Sequence, residues 1–254
     1  MRDIYQVLAP YYDEWNAEID YHAWAGSIEK VFQREFSGKV GSVLDLACGT
    51  GSMTLALAER GYDMIGLDRS CEMLSVARDR ALETPFADRI LWLAQDMTDF
   101  ELYGTVEAVV SCLDSINHLT SRDDLAACFR LVHNYLVPNG LFLFDLNSKG
   151  KFETVYGNAS YVFEAPGVFC TWQNSYHAAS RLCHFDITLF EEGEDGRYLR
   201  YDERQTERMY TLRSIKRVLS ECGFVLVGAY GSADCGELTE ESERWYVVAR
   251  AIKD

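Results

Sequence analysis

Between Val40 and Asp145 short apolar runs alternate with segments of helical periodicity, and this alternation constrains the chain more than any other feature. A strand that returns to lie parallel to its predecessor needs a crossover, usually a helix, so the pattern predicts a parallel sheet covered on both faces. Five strands are expected, at Val43–Leu46, Met64–Leu67, Ile90–Ala94, Ala108–Cys112 and Leu141–Phe144, each mainly apolar, as burial on both faces requires. Helix signals fill the gaps. Ser121 with Asp124 makes a capping pattern ahead of Leu125, Cys128, Phe129, Val132 and Leu136, and Pro138-Asn139-Gly140 is placed to end that helix. Thr211 likewise precedes Leu212, Ile215, Val218, Leu219 and Cys222 on one helical face, with Gly223 placed to stop it.

Two further strands are expected at Phe224–Tyr230 and Trp245–Ile252. The segment joining them, Gly231 to Arg244, has almost no apolar periodicity, so no covering helix is expected and the pair should be antiparallel. Residues 151–210 break the alternation with β-rich segments around Ser160–Glu164, Val168–Tyr176, Arg181–Glu191 and Arg197–Tyr210. Phe185, Ile187 and Leu189 alternate with His184, Asp186 and Thr188, as on a half-buried strand, so this stretch reads as an inserted antiparallel unit. Residues 1–36 form a third piece, with a helix burying Tyr21, Trp24, Ile28, Val31 and Phe32. The expected organisation is an N-terminal helical lid (1–36), a parallel-sheet domain (37–150 and 211–254) and an inserted β cap (151–210).

Composition narrows the classes of function. At 254 residues and 48% hydrophobic, the chain can bury a sizeable core. The 40 Asp+Glu against 24 Lys+Arg give a net charge of -16, which counts against a polyphosphate partner. No apolar run approaches the roughly 18 residues of a membrane span, and Met1–Trp15 lacks the basic head and apolar core of a signal peptide, so a cytoplasmic chain with no membrane partner is expected. The eight cysteines are scattered without a CxxC or CxxH spacing. They read as reduced thiols, and no metal site is expected.

The segment Val43-Leu44-Asp45-Leu46-Ala47-Cys48-Gly49-Thr50-Gly51-Ser52 is a strand running into a glycine turn and then a helix. Such a turn lets backbone approach a ligand closely, and the free N–H groups at the helix start favour acceptor groups. A dinucleotide fingerprint fails: GxGxxG begun at Gly49 meets Thr54 where its third glycine belongs, which sets a nicotinamide dehydrogenase aside. The second strand ends in Gly66-Leu67-Asp68, whose carboxylate can accept two ribose hydroxyls, and the third in Ala94-Gln95-Asp96-Met97, where an acid could meet an adenine amino group. Open α/β sheets bind ligands at this edge, so three successive strand ends carry cofactor-type chemistry.

Through these motifs and Pro138-Asn139-Gly140 the sequence resembles the class I S-adenosylmethionine-dependent methyltransferases over nearly its whole length. Ala9-Pro10-Tyr11-Tyr12-Asp13, Tyr21 to Trp24, Cys112-Leu113-Asp114-Ser115 and the insertion look like a group of small bacterial members. The family usually has glycine where Ala47 stands. The resemblance implies a Rossmann-like seven-stranded methyltransferase sheet with an antiparallel C-terminal pair plus a small antiparallel β insertion, and S-adenosylmethionine as cofactor. It also implies that Asp45 and the Ala47, Cys48 and Gly49 backbone, in the turn closed by Gly51, hold the methionine moiety. Asp68 would take the ribose, Met73 and Met97 would flank adenine with Asp96 at its amino group, and Cys112 and Leu113 would lie beneath the sulfonium.

Methyl transfer is an in-line displacement that needs an aligned nucleophile and exclusion of water. An amine or hydroxyl acceptor also needs a base, and Asp114 or His118 could serve, or hold an amine, or cap the following helix. The fourth strand end lacks the (Asn/Asp)-Pro-Pro-(Tyr/Phe) motif of enzymes acting on nucleic-acid bases, so a small-molecule acceptor, an amine among the candidates, is expected. RNA or protein methylation and a noncatalytic cofactor-binding partner remain the alternatives. Tyr5, Tyr11, Tyr12 and Trp24 could line a lid over the cationic sulfonium, or pack the N-terminal helix on the sheet. Trp172, Tyr176, His184 or Asp186 of the insertion could face the acceptor.

Overall fold

The computed structural model describes residues 16–253. The elements run α1 (Tyr21–Glu35), β1 (Ser42–Leu46), α2 (Ser52–Glu59), β2 (Asp63–Asp68), α3 (Cys71–Leu82), β3 (Ile90–Ala94), β4 (Val106–Ser111), α4 (Arg122–Tyr135) and β5 (Leu136–Asn147). They continue with β6 (Ser160–Ala165), β7 (Val168–His177), β8 (Leu182–Glu192), β9 (Tyr198–Arg208), α5 (Leu212–Glu221), β10 (Phe224–Tyr230) and β11 (Arg244–Ala251). Seven strands make one sheet in the order β10-β11-β5-β4-β1-β2-β3. Those from β1 to β5 pair in parallel, and β11 runs antiparallel to both β5 and β10. The antiparallel end follows from the missing helix between the last two strands.

Burial explains the composition of the strands. Val43, Leu44 and Leu46 of β1 and Ala108, Val109 and Val110 of β4 are wholly buried, because helices cover both faces. On one face α1 and α2 contribute Trp24, Ile28, Val31, Met53 and Leu57. On the other, α4 and α5 contribute Leu125, Phe129, Val132, Ile215 and Val218. Each large apolar side chain so buried contributes roughly 1.5–3 kcal/mol. Both helix starts are capped as the sequence predicts: the Ser121 hydroxyl accepts from the Asp124 amide, and Thr211 and Ser214 form a reciprocal capping box.

One boundary differs. Helix α4 stops at Leu136, where the backbone turns extended, and β5 begins there, well before the expected Leu141. Val106 pairs with Leu136, after which the register shifts so that Ala108 pairs with Leu141. Pro138-Asn139-Gly140, with Asn139 at φ 63°, therefore forms an irregularity inside the strand instead of ending the helix. A proline with no N–H to donate is tolerated where the ladder is already interrupted.

The insertion forms its own antiparallel sheet, β6-β7-β8-β9, with a core of Phe152, Val168, Cys170, Phe185, Ile187 and Leu189. No helix among the described residues is long and apolar enough to cross a membrane.

Gly66 of β2 lies opposite Trp92 of β3, and the indole covers it. A Cβ at Gly66 would come within 2.4 Å of that ring, and one at Gly51 within 2.7 Å. Gly66→Ala is expected to destabilise the fold by roughly 1–3 kcal/mol through overpacking, and Trp92→Leu in the same chain should recover part of that loss. Denaturant midpoints of the two single variants and the double variant check it, and strictly additive losses would contradict the contact.

Candidate functional site

The site is built at the C-terminal ends of β1 to β4. After β1 the chain turns through Ala47 at φ 62° and Gly49 at φ 55°, and enters α2 at Gly51, φ 78°. Ala47 is an L-residue in left-handed backbone, a conformation that costs roughly 1 kcal/mol or more and that explains why a glycine is usual there. A Cβ on Gly49 would meet nothing within 4 Å, so its α-carbon faces open space. The turn is pinned from both sides. The Cys48 amide donates to the Leu67 carbonyl, the Gly49 amide to Asp68 Oδ2 at 2.8 Å, and Arg80 Nη1 to the Thr50 carbonyl.

Asp68 also accepts the Ser70 amide on Oδ1 at 2.9 Å. Burial raises its pKa above the usual carboxylate range, and the backbone amides of Ser70 and Gly49 oppose that shift without cancelling it. Asp45 lies deeper, 1% exposed, with Thr54 Oγ1 donating to it at 2.5 Å. Its burial pushes its pKa up to about 7, against the Thr54 bond. It supports the turn from below. At the end of β3, Asp96 is exposed, and its Oδ1 accepts from the amide and hydroxyl of Thr98 at 2.8 and 2.6 Å.

A cavity of about 370 Å³ opens over these groups. Ala47, Gly49, Asp68, Met73, Asp96 and Met97 line it, and Leu113 and His118 close its far side. Eight sequence-predicted residues thus converge. Gly51 faces Trp92, and the Cys48 and Cys112 thiols are set back, their pKa values pushed up by burial. Trp24 is a correction to the expected lid: 8% exposed, it packs edge-on to Tyr246 at 5.5 Å, on the apolar face that α1 lays on the sheet. It borders a separate cleft of about 560 Å³ beyond Leu113. Tyr5, Tyr11 and Tyr12 lie outside the described residues.

The end of β4 is strained. Leu113 at φ 57° and Asp114 at φ 53° are consecutive left-handed residues with side chains, each costing roughly 1–2 kcal/mol. Asp145 of β5 holds them there. Its Oδ2 accepts the Asp114 amide at 3.0 Å and also an Arg244 Nη1 hydrogen, while Arg244 Nη2 meets Asp114 Oδ1 at 2.8 Å. Burial pushes the Asp114 carboxyl up, but Arg244, Lys151 and His118 outweigh it and leave it below the usual range. Asp114 is thus an ion-paired carboxylate whose geometry suits positioning better than proton transfer.

His118 sits at the cavity wall and makes no hydrogen bond among the described residues. Burial, aided by Arg69, lowers its pKa, against the attraction of Asp114 and Asp68. Glu207 of β9 comes close: ligand atoms of Asp114, His118 and Glu207 all lie within 4.8 Å of one another. That spacing could hold a divalent ion, yet Arg244 already occupies Asp114, and Lys151 adds a second positive charge to the cluster. Glu207 is 4% exposed, accepts from Asn147 Nδ2 at 3.1 Å, and is shifted toward its protonated form by burial and by Asp114. Glu207, Arg244 and Lys151 are absent from the sequence reading. One signal pointed to them: Asp145 ends the otherwise apolar run Leu141-Phe142-Leu143-Phe144, and a buried charge demands a partner. The cap residues expected to face an acceptor lie elsewhere, Trp172 against Phe185, Tyr176 against Phe152, and His184 and Asp186 paired with Thr206 and Arg204.

A methyltransferase domain family matches residues 43–140, the segment that builds this cavity. The protein described as "Putative methyltransferase YqeM" of Bacillus subtilis (strain 168) is 32% identical over 251 residues, 98% of each chain. A dTDP-3-amino-3,6-dideoxy-alpha-D-glucopyranose N,N-dimethyltransferase of Streptomyces fradiae is 26% identical over 80% of this chain and 77% of its own. The crystal structure of an S-adenosylmethionine-dependent methyltransferase from Clostridium acetobutylicum ATCC 824 superposes with a TM-score of 0.85, at 28% identity, covering 99% of this chain and all of the other. With a relative of that identity over nearly its full length and the same sheet, the chain belongs to the class I S-adenosylmethionine-dependent methyltransferases.

Proposed function

We propose that the protein transfers a methyl group from S-adenosylmethionine to a nitrogen or oxygen atom of a small molecule, with an amine as the favoured acceptor class. The observation that carries this reading is His118, whose ring makes no hydrogen bond among the described residues, on the wall of the cavity that Asp68, Met73 and Asp96 also line. The amino-sugar N,N-dimethyltransferase relative acts on a small acceptor by its name, which agrees with it.

The residues present fit the cofactor. Gly49 leaves backbone open where a side chain would fill the cradle, and Asp68 stands beside it with a carboxylate suited to ribose hydroxyls. Met73 and Met97 offer polarisable apolar walls for adenine, and Asp96 Oδ2, which takes no bond among the described residues, suits its amino group. The Ala47–Gly49 backbone receives the methionine end, with Asp45, bonded to Thr54, supporting the turn from below. Cys112 lies behind Leu113, which lines both this cavity and the neighbouring cleft. The bound sulfonium supplies the electrophilic methyl.

This chain's part is to hold an acceptor in line, keep water out and take the proton that the acceptor loses. His118 takes it on an imidazole nitrogen. Asp114, fixed by Arg244 and Asp145, attracts the imidazolium that forms, and stabilises an ammonium acceptor by the same charge. In this reading the sheet domain (37–150 and 211–254) carries the cofactor, and the cap (151–210) brings Glu207 beside Asp114 and His118.

The base works only when neutral. Since its pKa lies below the ordinary imidazole range, kcat/KM should rise with pH on an acid limb and be level in that respect through neutrality. His118→Gln should remove that limb and lower kcat by roughly 10²-fold or more, which pH profiles of the two enzymes check. A wild-type limb that survives in the variant would contradict the assignment. For the acceptor class, methyl-labelled cofactor incubated with a cell extract should place label in the small-molecule fraction, with stoichiometric S-adenosylhomocysteine. Label confined to RNA or protein would contradict it.

A further inference from the structure

On the far side of the cofactor cavity's wall, between α4, α5 and the end of β9, lies a second concavity of about 870 Å³. It is lined by Arg122, Arg181, Arg208, Arg213 and Arg217, and by no Asp or Glu. In a chain of net charge -16 with only 24 Lys+Arg, five converging guanidiniums invert the local sign. Among the described residues one carboxylate pairs with them, Glu221, with Arg122 at 2.5 Å and with Arg217 at 3.0 Å. Arg208 donates Nε to the Thr120 carbonyl and Nη1 to the Ser180 carbonyl, neutral partners that fix the group and leave its charge uncompensated. Arg181 and Arg213 are exposed and have no ionic partner among the described residues.

Arg181 adds a second, independent observation. It sits at φ 58°, in the turn before β8, a left-handed position where glycine or asparagine would be cheaper by roughly 1 kcal/mol. Its backbone is held on both sides, its amide donating to the His177 carbonyl and its carbonyl accepting the Met209 amide. The left-handed residue closes the β7–β8 turn and places the Arg181 side chain at the rim of the basic cleft.

We propose that this cleft binds a small molecule bearing a diphosphate or polyphosphate group. A carboxylate satisfies one guanidinium fork, whereas linked phosphates offer enough charge and acceptor oxygens for several at once. The volume lies in the range of small-ligand pockets, and the net charge of -16 counts against a nucleic acid as the occupant. The site goes beyond the acceptor assignment and does not depend on it. It adjoins the cofactor cavity: Leu119 and Asp124 line that cavity, while Arg122 and Leu125 of the same segment line this cleft. Arg208 and Tyr210 reach from the cleft to the carbonyls of Thr120 and Leu119.

Calorimetric titration of the full chain with pyrophosphate tests this. Binding is expected that weakens as salt rises from about 50 to 200 mM and exceeds that of inorganic phosphate. The exposed double substitution Arg181→Ala with Arg213→Ala should lower the affinity at least roughly tenfold and leave S-adenosylmethionine binding unchanged. Absence of binding at millimolar pyrophosphate, equal binding by the double variant, or competition between pyrophosphate and S-adenosylmethionine would overturn the proposal. So would tighter binding of a single-stranded RNA oligonucleotide through the same arginines, which would make the partner a polymer.

Discussion

A wholly buried carboxylate, Asp145, sets the geometry on which the site depends. It is placed on β5, where its neighbours are apolar, and it draws Arg244 from the adjacent strand into the sheet edge. Removing one partner of a buried pair leaves an uncompensated charge, at a cost of about 3–5 kcal/mol. What this ion cluster holds is the pair of left-handed residues Leu113 and Asp114, whose conformational cost of roughly 1–2 kcal/mol each would otherwise relax. From that kink the short turn Ser115–His118 begins, with the Asn117 amide bonded to the Asp114 carbonyl. His118 reaches the cavity wall because Asp145 and Arg244 are where they are.

The frame beneath is ordinary hydrophobic layering. Helices on both faces bury nearly all of β1 and β4, and side chains beyond the strand ends line one cavity. The cap is fastened to this frame by polar contacts, since Asn117 donates to the Arg208 carbonyl and accepts the Asn147 amide, and Asn147 in turn reaches Glu207. Hydrophobic burial therefore determines where the site is, and a chain of buried hydrogen bonds determines how the cap meets it.

Much of this was legible from periodicity and strand ends. The parallel strands, the antiparallel final pair and the convergence of Ala47, Gly49, Asp68, Met73, Asp96 and Met97 all follow from local pattern, because each residue's position is set within its own βα unit. The start of β5 was not, because Pro138-Asn139-Gly140 reads as a helix stop while the chain resolves it as a strand irregularity. Trp24 was ambiguous between lid and core, and its neighbours Ile28 and Val31 on the same helical face decide for core. Arg244 and Glu207 lie about a hundred residues from the groups they serve, so no local pattern can announce them. Only the burial of Asp145 required that some such partner exist.

The proposed function rests on S-adenosylmethionine being held at the three strand ends, with Asp68 as its ribose anchor. Its most direct test is calorimetric titration of the cofactor into wild type, Asp68→Asn and Asp68→Ala, with folding checked by thermal melts. Losing a charge-assisted bond of about 1.5–3 kcal/mol should weaken binding by roughly 10- to 100-fold in the alanine variant, with asparagine between. A folded Asp68→Ala protein that binds the cofactor as tightly as wild type would contradict it.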